Sequence, residues 1–211
     1  DWTGNSLGPN AARIADLLSR LRRDEELSDI AASLKQDPAL SLRLLRYINS
    51  AAMGLREEVT SIERALMQLG RDRLYRWLSL LLYGADSRNP NASALLETAL
   101  VRARMLELLG EARPKAERES LFLVGLFSLV DAVLQVPMAT ALEQLAAAPA
   151  IVDAVLHRQG PMARLLQLAI ASESGDEMLL ACAAEAADIE LEPASAAHVE
   201  ALAWAMQVMA E

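Results

Sequence analysis

Apolar residues recur at helical spacing along nearly the whole chain, and glycine, proline and capping residues punctuate the stripes. Ile14, Leu17, Leu18 and Leu21 follow the i, i+3, i+4, i+7 pattern of an amphipathic helix, and Leu27, Ile30, Ala31 and Leu34 repeat it. Asp37-Pro38 opens a third helix, because Asp suits the N-cap and Pro the first helical position. Its face is Leu40, Leu44, Leu45, Ile48 and Ala52, with Gly54 as the stop. Thr60-Ser61-Ile62-Glu63 matches a capping box ahead of Ala65, Leu66 and Leu69, and Gly70 is expected to end that helix. Leu74, Trp77, Leu78, Leu81 and Leu82 form the next stripe, closed by Gly84.

Asn89-Pro90-Asn91 reads as a turn, after which Leu95 to Leu109 run to Gly110. Beyond the break at Ala112-Arg113-Pro114, Glu119 to Gln135 is apolar nearly all round and is expected to be one buried central helix. Short helices follow around Leu142 and Ile151 to Leu156, then Met162 to Ala171, Asp176 to Ala187 and Pro193 to Met209. No segment alternates like a strand, so the expected fold is all-α, a globular domain of about ten short helices. Residues 1–9 read as a tail or linker from an upstream domain, residues 10–211 as the domain, and 176–211 as its acidic helical C-terminal part.

The chain of 211 residues carries 20 Lys+Arg against 29 Asp+Glu, a net charge of −9, with two histidines and one cysteine. One cysteine forms no internal disulfide, which points to a reducing compartment. Two histidines and one cysteine fall short of the four N/S ligands of a structural zinc site. The negative balance argues against general nucleic-acid binding, which works by neutralising phosphates. The longest apolar run, Leu121 to Val136, is broken by Gly125, Ser128 and Asp131, short of the ~20 residues of a membrane span. The first residues lack a signal-peptide pattern and read as the cut end of a larger cytoplasmic protein. The charge is uneven: residues 151–211 hold two basic and ten acidic side chains, whereas residues 1–76 are nearly balanced.

Motifs for phosphate cradles, serine hydrolases and HExxH metal sites are absent from the sequence. Cys182 reads as a small buried hydrophobe, and His157 as a cap or surface residue. No cofactor is implied.

Asp37-Pro38-Ala39-Leu40-Ser41, Leu44-Leu45-Arg46, Asn49-Ser50-Ala51, Thr60-Ser61-Ile62, Ala65-Leu66 and Leu69-Gly70 together resemble the HDOD domain, an HD-related output domain of bacterial signalling proteins. The match runs over some forty residues and continues through Leu74 to Leu82. Segments 95–104 and 123–131 resemble HDOD domains that follow an EAL domain, the cyclic-di-GMP phosphodiesterase type and its degenerate relatives. The resemblance implies an HD-like helical fold. HD phosphohydrolases hold metals through a His-Asp dipeptide and use metal-activated hydroxide. Here Gly125-Leu126-Phe127-Ser128-Leu129 corresponds to that segment, so Ser128 replaces the His and Leu129 the Asp.

The resemblance therefore implies a non-catalytic regulatory module, with neither catalytic nor metal-binding residues, whose partner is another protein or its own upstream EAL-like domain. Neither nucleic acid nor membrane is expected as a partner, and a homodimer stays open. Two alternatives remain. One is a phosphodiesterase remnant in which Glu97, Asp131 and Asp153 converge on a metal with His157; the other is a cyclic-dinucleotide or small-effector sensor. Asp37, Pro38, Arg46, Asn49, Ser50, Ser61 and Gly70 serve first as fold determinants. Arg43, Arg46, Arg71, Arg73 and Arg76 are expected to form a basic surface that, with Tyr47 and Tyr75, suits a protein partner, while Trp77 belongs to an apolar stripe and the core.

Overall fold

A computed structural model of the chain describes residues 7–50, 53–54, 58–85 and 91–210. Among these, twelve α-helices and one 3-10 turn build the fold, with no strand. α1 (Pro9–Arg22), α2 (Leu27–Lys35), α3 (Pro38–Ile48) and α4 (Ile62–Leu81) form the first half. α5 (Ala92–Leu109), α6 (Lys115–Phe127), α7 (Val130–Leu134), α8 (Met138–Gln144) and α9 (Pro149–Val155) follow. α10 (Gly160–Ser174), α11 (Glu177–Ala187) and α12 (Leu191–Ala210) complete it. No helix among the described residues is long and apolar enough to cross a membrane. α1 starts at Pro9, so the expected boundary at residue 10 falls in its first turn.

Local chemistry sets several of these limits. The Asp37 carboxylate accepts from the Leu40 amide at 3.0 Å while Pro38 takes the first helical position. Ser61, not Thr60, caps α4 by accepting from Arg64 N at 3.3 Å. Glu63 is thereby moved off the capping-box position and pairs with Lys35 of α2 instead. Gly70 does break the helical path, at φ 71° and ψ 173°, but helix resumes at once, so two expected helices meet at a kink in α4. The expected helix Glu119 to Gln135 is split: α6 begins earlier, at Lys115, ends at Phe127, and α7 begins after Ser128 and Leu129. α3 ends at Ile48, short of Ala52, which lies outside the described residues together with Ala51, Asn89 and Pro90.

Asn49 then ties the chain that follows. Its side-chain amide donates to Val59 O and accepts from Val59 N, both at 2.8 Å, closing a ten-residue excursion. Ser50 Oγ donates to Tyr47 O at 2.8 Å. Tyr47 stacks on Trp77 with ring centroids 6.0 Å apart, and Trp77 is buried, as its stripe required.

One core runs through the molecule. α4 packs on α1, α2 and α3, and α5 sits between α6 and α12, with α10 against it. The α5–α6 approach depends on small residues. A Cβ built on Gly125 would stand 2.4 Å from Ala103 N and 2.5 Å from Ala103 Cα, so the two backbones touch where other side chains would hold them apart. Gly125→Ala must spread two central helices and is expected to cost about 2–4 kcal/mol in urea unfolding. Gly8→Ala, with open space around it, should stay within about 0.5 kcal/mol. Equal effects would show that the close approach is not limiting.

Candidate functional site

Ser128 and Leu129, the positions that the sequence resemblance sets against the His-Asp dipeptide, lie where α6 gives way to α7. Ser128 is buried, and its Oγ donates to Gly125 O at 2.7 Å. The same Oγ accepts from Arg102 Nη1 at 3.1 Å. Arg102 projects from the middle of α5 and is only 9% exposed. Its Nε and Nη2 grip the Glu173 carboxylate on α10, each at 2.7 Å, in the bidentate geometry that suits guanidinium and carboxylate. Nearby, the Tyr83 hydroxyl donates to Leu126 O. Burial pushes the Tyr83 hydroxyl far above the usual phenol range; the Arg102 charge opposes this and Asp131 adds to it, so Tyr83 is a neutral donor.

The position next to Ser128 is thus held by a fixed cation. At an effective dielectric of 20, a divalent ion ~4 Å from a guanidinium meets a repulsion of roughly 8 kcal/mol. Sequence reasoning assigns no role to Arg102, Glu173 or Tyr83. A lone Arg inside the apolar pattern Ala99, Leu100, Ala103, Leu106 is the signal that points to a buried pair.

The other expected groupings do not assemble. Among the described residues no three His, Cys, Asp or Glu side chains come close enough to hold a metal. Glu97, Asp153 and His157 are exposed, and Asp131 is half-buried. Cys182 is also exposed, contrary to the buried reading, because α11 turns only Ala184 fully inward.

The arginines take separate tasks. Arg43 lines a small groove beside α1 and Gly84, away from Arg71 and Arg76. Arg46 and Arg73 are exposed. Arg71 Nη2 donates to the carbonyls of Glu25 at 2.6 Å and Asp24 at 3.3 Å, closing the α1–α2 turn. Arg76 lies 2.7 Å from Glu107 and 3.7 Å from Glu119, with its guanidinium carbon 3.2 Å from the centroid of the Phe122 ring. Glu107 also accepts from Arg104 at 2.8 Å, and Arg104 reaches Glu200 of α12 at 3.0 Å. The single basic surface expected across 43–76 is therefore dispersed, and two of its members are committed to internal bonds. Burial alone would raise the Glu107 carboxyl; the bonds and charges of Arg76 and Arg104 outweigh it and hold the group below the usual carboxylate range.

The model of the HDOD domain family matches residues 7–150. YuxH of Bacillus subtilis is 26% identical over 210 residues, 98% of this chain and 51% of YuxH. Cyclic di-GMP phosphodiesterase CdgJ of Vibrio cholerae is 35% identical over 143 residues, 67% of this chain and 33% of CdgJ. The chain therefore spans about half the length of one relative and a third of the other. Among solved structures, an HDOD domain protein of unknown function from Geobacter sulfurreducens superposes with a TM-score of 0.61 at 13% identity, covering 98% of this chain and 93% of that one. This likeness confirms the all-α, HD-like fold.

Two outcomes follow from the geometry. Glu173→Gln leaves the Arg102 guanidinium without its counter-charge and should cost about 2–3 kcal/mol in urea unfolding, less than for a fully buried pair because Glu173 is 25% exposed. Arg102→Met with Glu173→Leu should cost less than Glu173→Gln alone; a larger loss would mean that the pair itself drives folding. Glu107 has a lowered folded-state pKa, so its stabilisation is present above the ordinary value of 4.5 and is lost as pH falls through the lower folded one. The stability gap between the protein and Glu107→Gln should accordingly be widest above about pH 5 and shrink as acid is added. A gap independent of pH would remove the charge from this account.

Proposed function

The chain belongs to the HDOD family, and we propose that it is a non-catalytic regulatory domain that acts by contact with other protein surfaces. The observation that supports this reading is the Arg102 guanidinium clamped between Glu173 and Ser128. On the sequence correspondence of Ser128 with the HD histidine, this sets a permanent positive charge beside the place where HD enzymes hold a metal and its hydroxide. The bonds that hold it make that position a structural joint between α5, α6 and α10.

A partner surface of definite chemistry supports the rest of the reading. α11 exposes Met178 and Leu179, and α12 exposes Val199, Leu202 and Met206 at i, i+3 and i+7. These apolar side chains sit in the part of the chain with two basic and ten acidic residues. An amphipathic surface with basic flanks complements both features, whereas a second copy would present the same sign. The relative named a cyclic di-GMP phosphodiesterase is about three times the length of the chain's counterpart within it. In our reading the domain modulates a neighbouring EAL-type domain of such a protein in a cytoplasmic setting.

The domain should bind Mn²⁺ or Mg²⁺ no better than bulk acidic proteins do, and should leave cyclic-di-GMP and bis(p-nitrophenyl) phosphate intact with either ion. Calorimetry and a hydrolysis assay check both. Stoichiometric metal retention with turnover that Asp131→Asn abolishes would overturn the proposal.

A further inference from the structure

A cleft of about 660 Å³ opens on the surface between the end of α1, the second half of α4, the Lys115–Leu123 stretch of α6 and the start of α9. Its volume lies within the range of small-molecule sites. Ser128, which follows the end of α6, is not among its lining residues.

Four cations line the cleft, and they are not equally committed. Arg76 is neutralised by Glu107 and Glu119. Arg22 has no acidic partner among the described residues. Lys115 is 3.8 Å from Asp72, with both side chains more than two-thirds exposed, a contact of little worth. Arg71 gives Nη2 to two carbonyls, but its Nη1 is enclosed and has no acceptor. That nitrogen is not itself open to a ligand, so Arg71 contributes its positive charge to the cleft wall while its Nη2 holds the α1–α2 turn. α6 adds its own donors. It starts at Lys115 after Pro114, no side chain caps it, and Lys115 and Ala116 border the cleft. Free amides and the positive end of a helix dipole favour an oxyanion there. Against these stand the loosely paired Asp72 and the rim carboxylate of Asp24. Leu123, Ile151 and the Tyr75 ring supply an apolar floor beside the charged wall.

We propose that this cleft binds a small phosphorylated molecule of mononucleotide size. Its phosphate sits among Arg22, Arg71, Lys115 and the first amides of α6, and its body lies on the apolar floor. Phosphate suits this wall better than a carboxylate because it has three terminal oxygens to share among several donors. The inference does not rest on the regulatory reading, which stands if the cleft stays empty; ligand binding would give the domain an input.

The test uses 5′-AMP and inorganic pyrophosphate as probes, with sodium chloride at matched ionic strength, followed by calorimetry and thermal unfolding. Saturable binding of 5′-AMP is expected, with a rise in melting temperature that chloride does not reproduce. Arg22→Glu and Lys115→Glu should each weaken it about tenfold or more while the unliganded melting temperature holds, since neither side chain supports the fold. Arg71→Ala is a poorer choice because it also frees the Asp24 and Glu25 carbonyls. Absence of saturable binding by both probes, or binding insensitive to Arg22→Glu and Lys115→Glu, overturns the proposal.

Discussion

The contact of α5 with α6 through Ala103 and Gly125 is the constraint on which the rest of the domain depends. Small residues at a crossing let backbones approach, and here the approach brings the end of α6 under the middle of α5. That places Ser128 within reach of Arg102, and Arg102 in turn reaches Glu173 on α10. A larger residue at 125 would lift Ser128 away and leave a buried guanidinium with one partner fewer. The packing of apolar helices and the polar joint are one arrangement.

The same joint bears on the chemistry. HD-type hydrolysis needs a metal held by His and Asp, and the loss of those residues alone would leave a polar cavity. Beside Ser128 the structure instead has Arg102 and Glu173, whose charges satisfy each other. Buried polar groups are tolerable when all their bonds are made, and Ser128 makes both of its own, donating to Gly125 O and accepting from Arg102. A joint of this kind ties together the three helices it links, α5, α6 and α10.

What is legible in the sequence follows the range of each interaction. Asp37 and Pro38 start α3 as expected, because capping chemistry acts within four residues. The capping box at Thr60 lies one place away from the true cap: Thr60 has Glu63 three residues on, whereas Ser61, followed at that spacing by Arg64, is the residue whose side chain meets the helix amide. Asn49 reads as a helix-end residue, but its bonds are to Val59, ten positions further on. Arg102 and Glu173 are 71 positions apart, and no local pattern joins them. Ser128 is located by its correspondence with the His-Asp segment, yet what stands beside it is set by the α5–α10 packing. The arginines of 43–76 look like one surface because a sequence carries the sign of a charge without its partner.

Partnering also changes the meaning of the acidic C-terminal part. Its surplus suggests a solvated acidic face, but two of its acids point back into the domain. Glu173 holds Arg102, and Glu200 holds Arg104, both on α5. Arg104 shares Glu107 with Arg76, so a chain of charges runs from α4 through α5 to α12. The basic residues of the first half and the acids of the last are thus partly each other's counter-ions across the core. The family model ends at residue 150, yet α10 and α12 pack on α5 and supply carboxylates to the buried Arg102 and the half-buried Arg104. Removing them would strip Arg102 of its only acidic partner among the described residues and uncover the face of α5 on which they pack. Apart from Glu173 and Glu200, the acidity that stays exposed in this part is borne, among the described residues, by Asp153, Asp176, Glu177, Glu185, Asp188, Glu190 and Glu192.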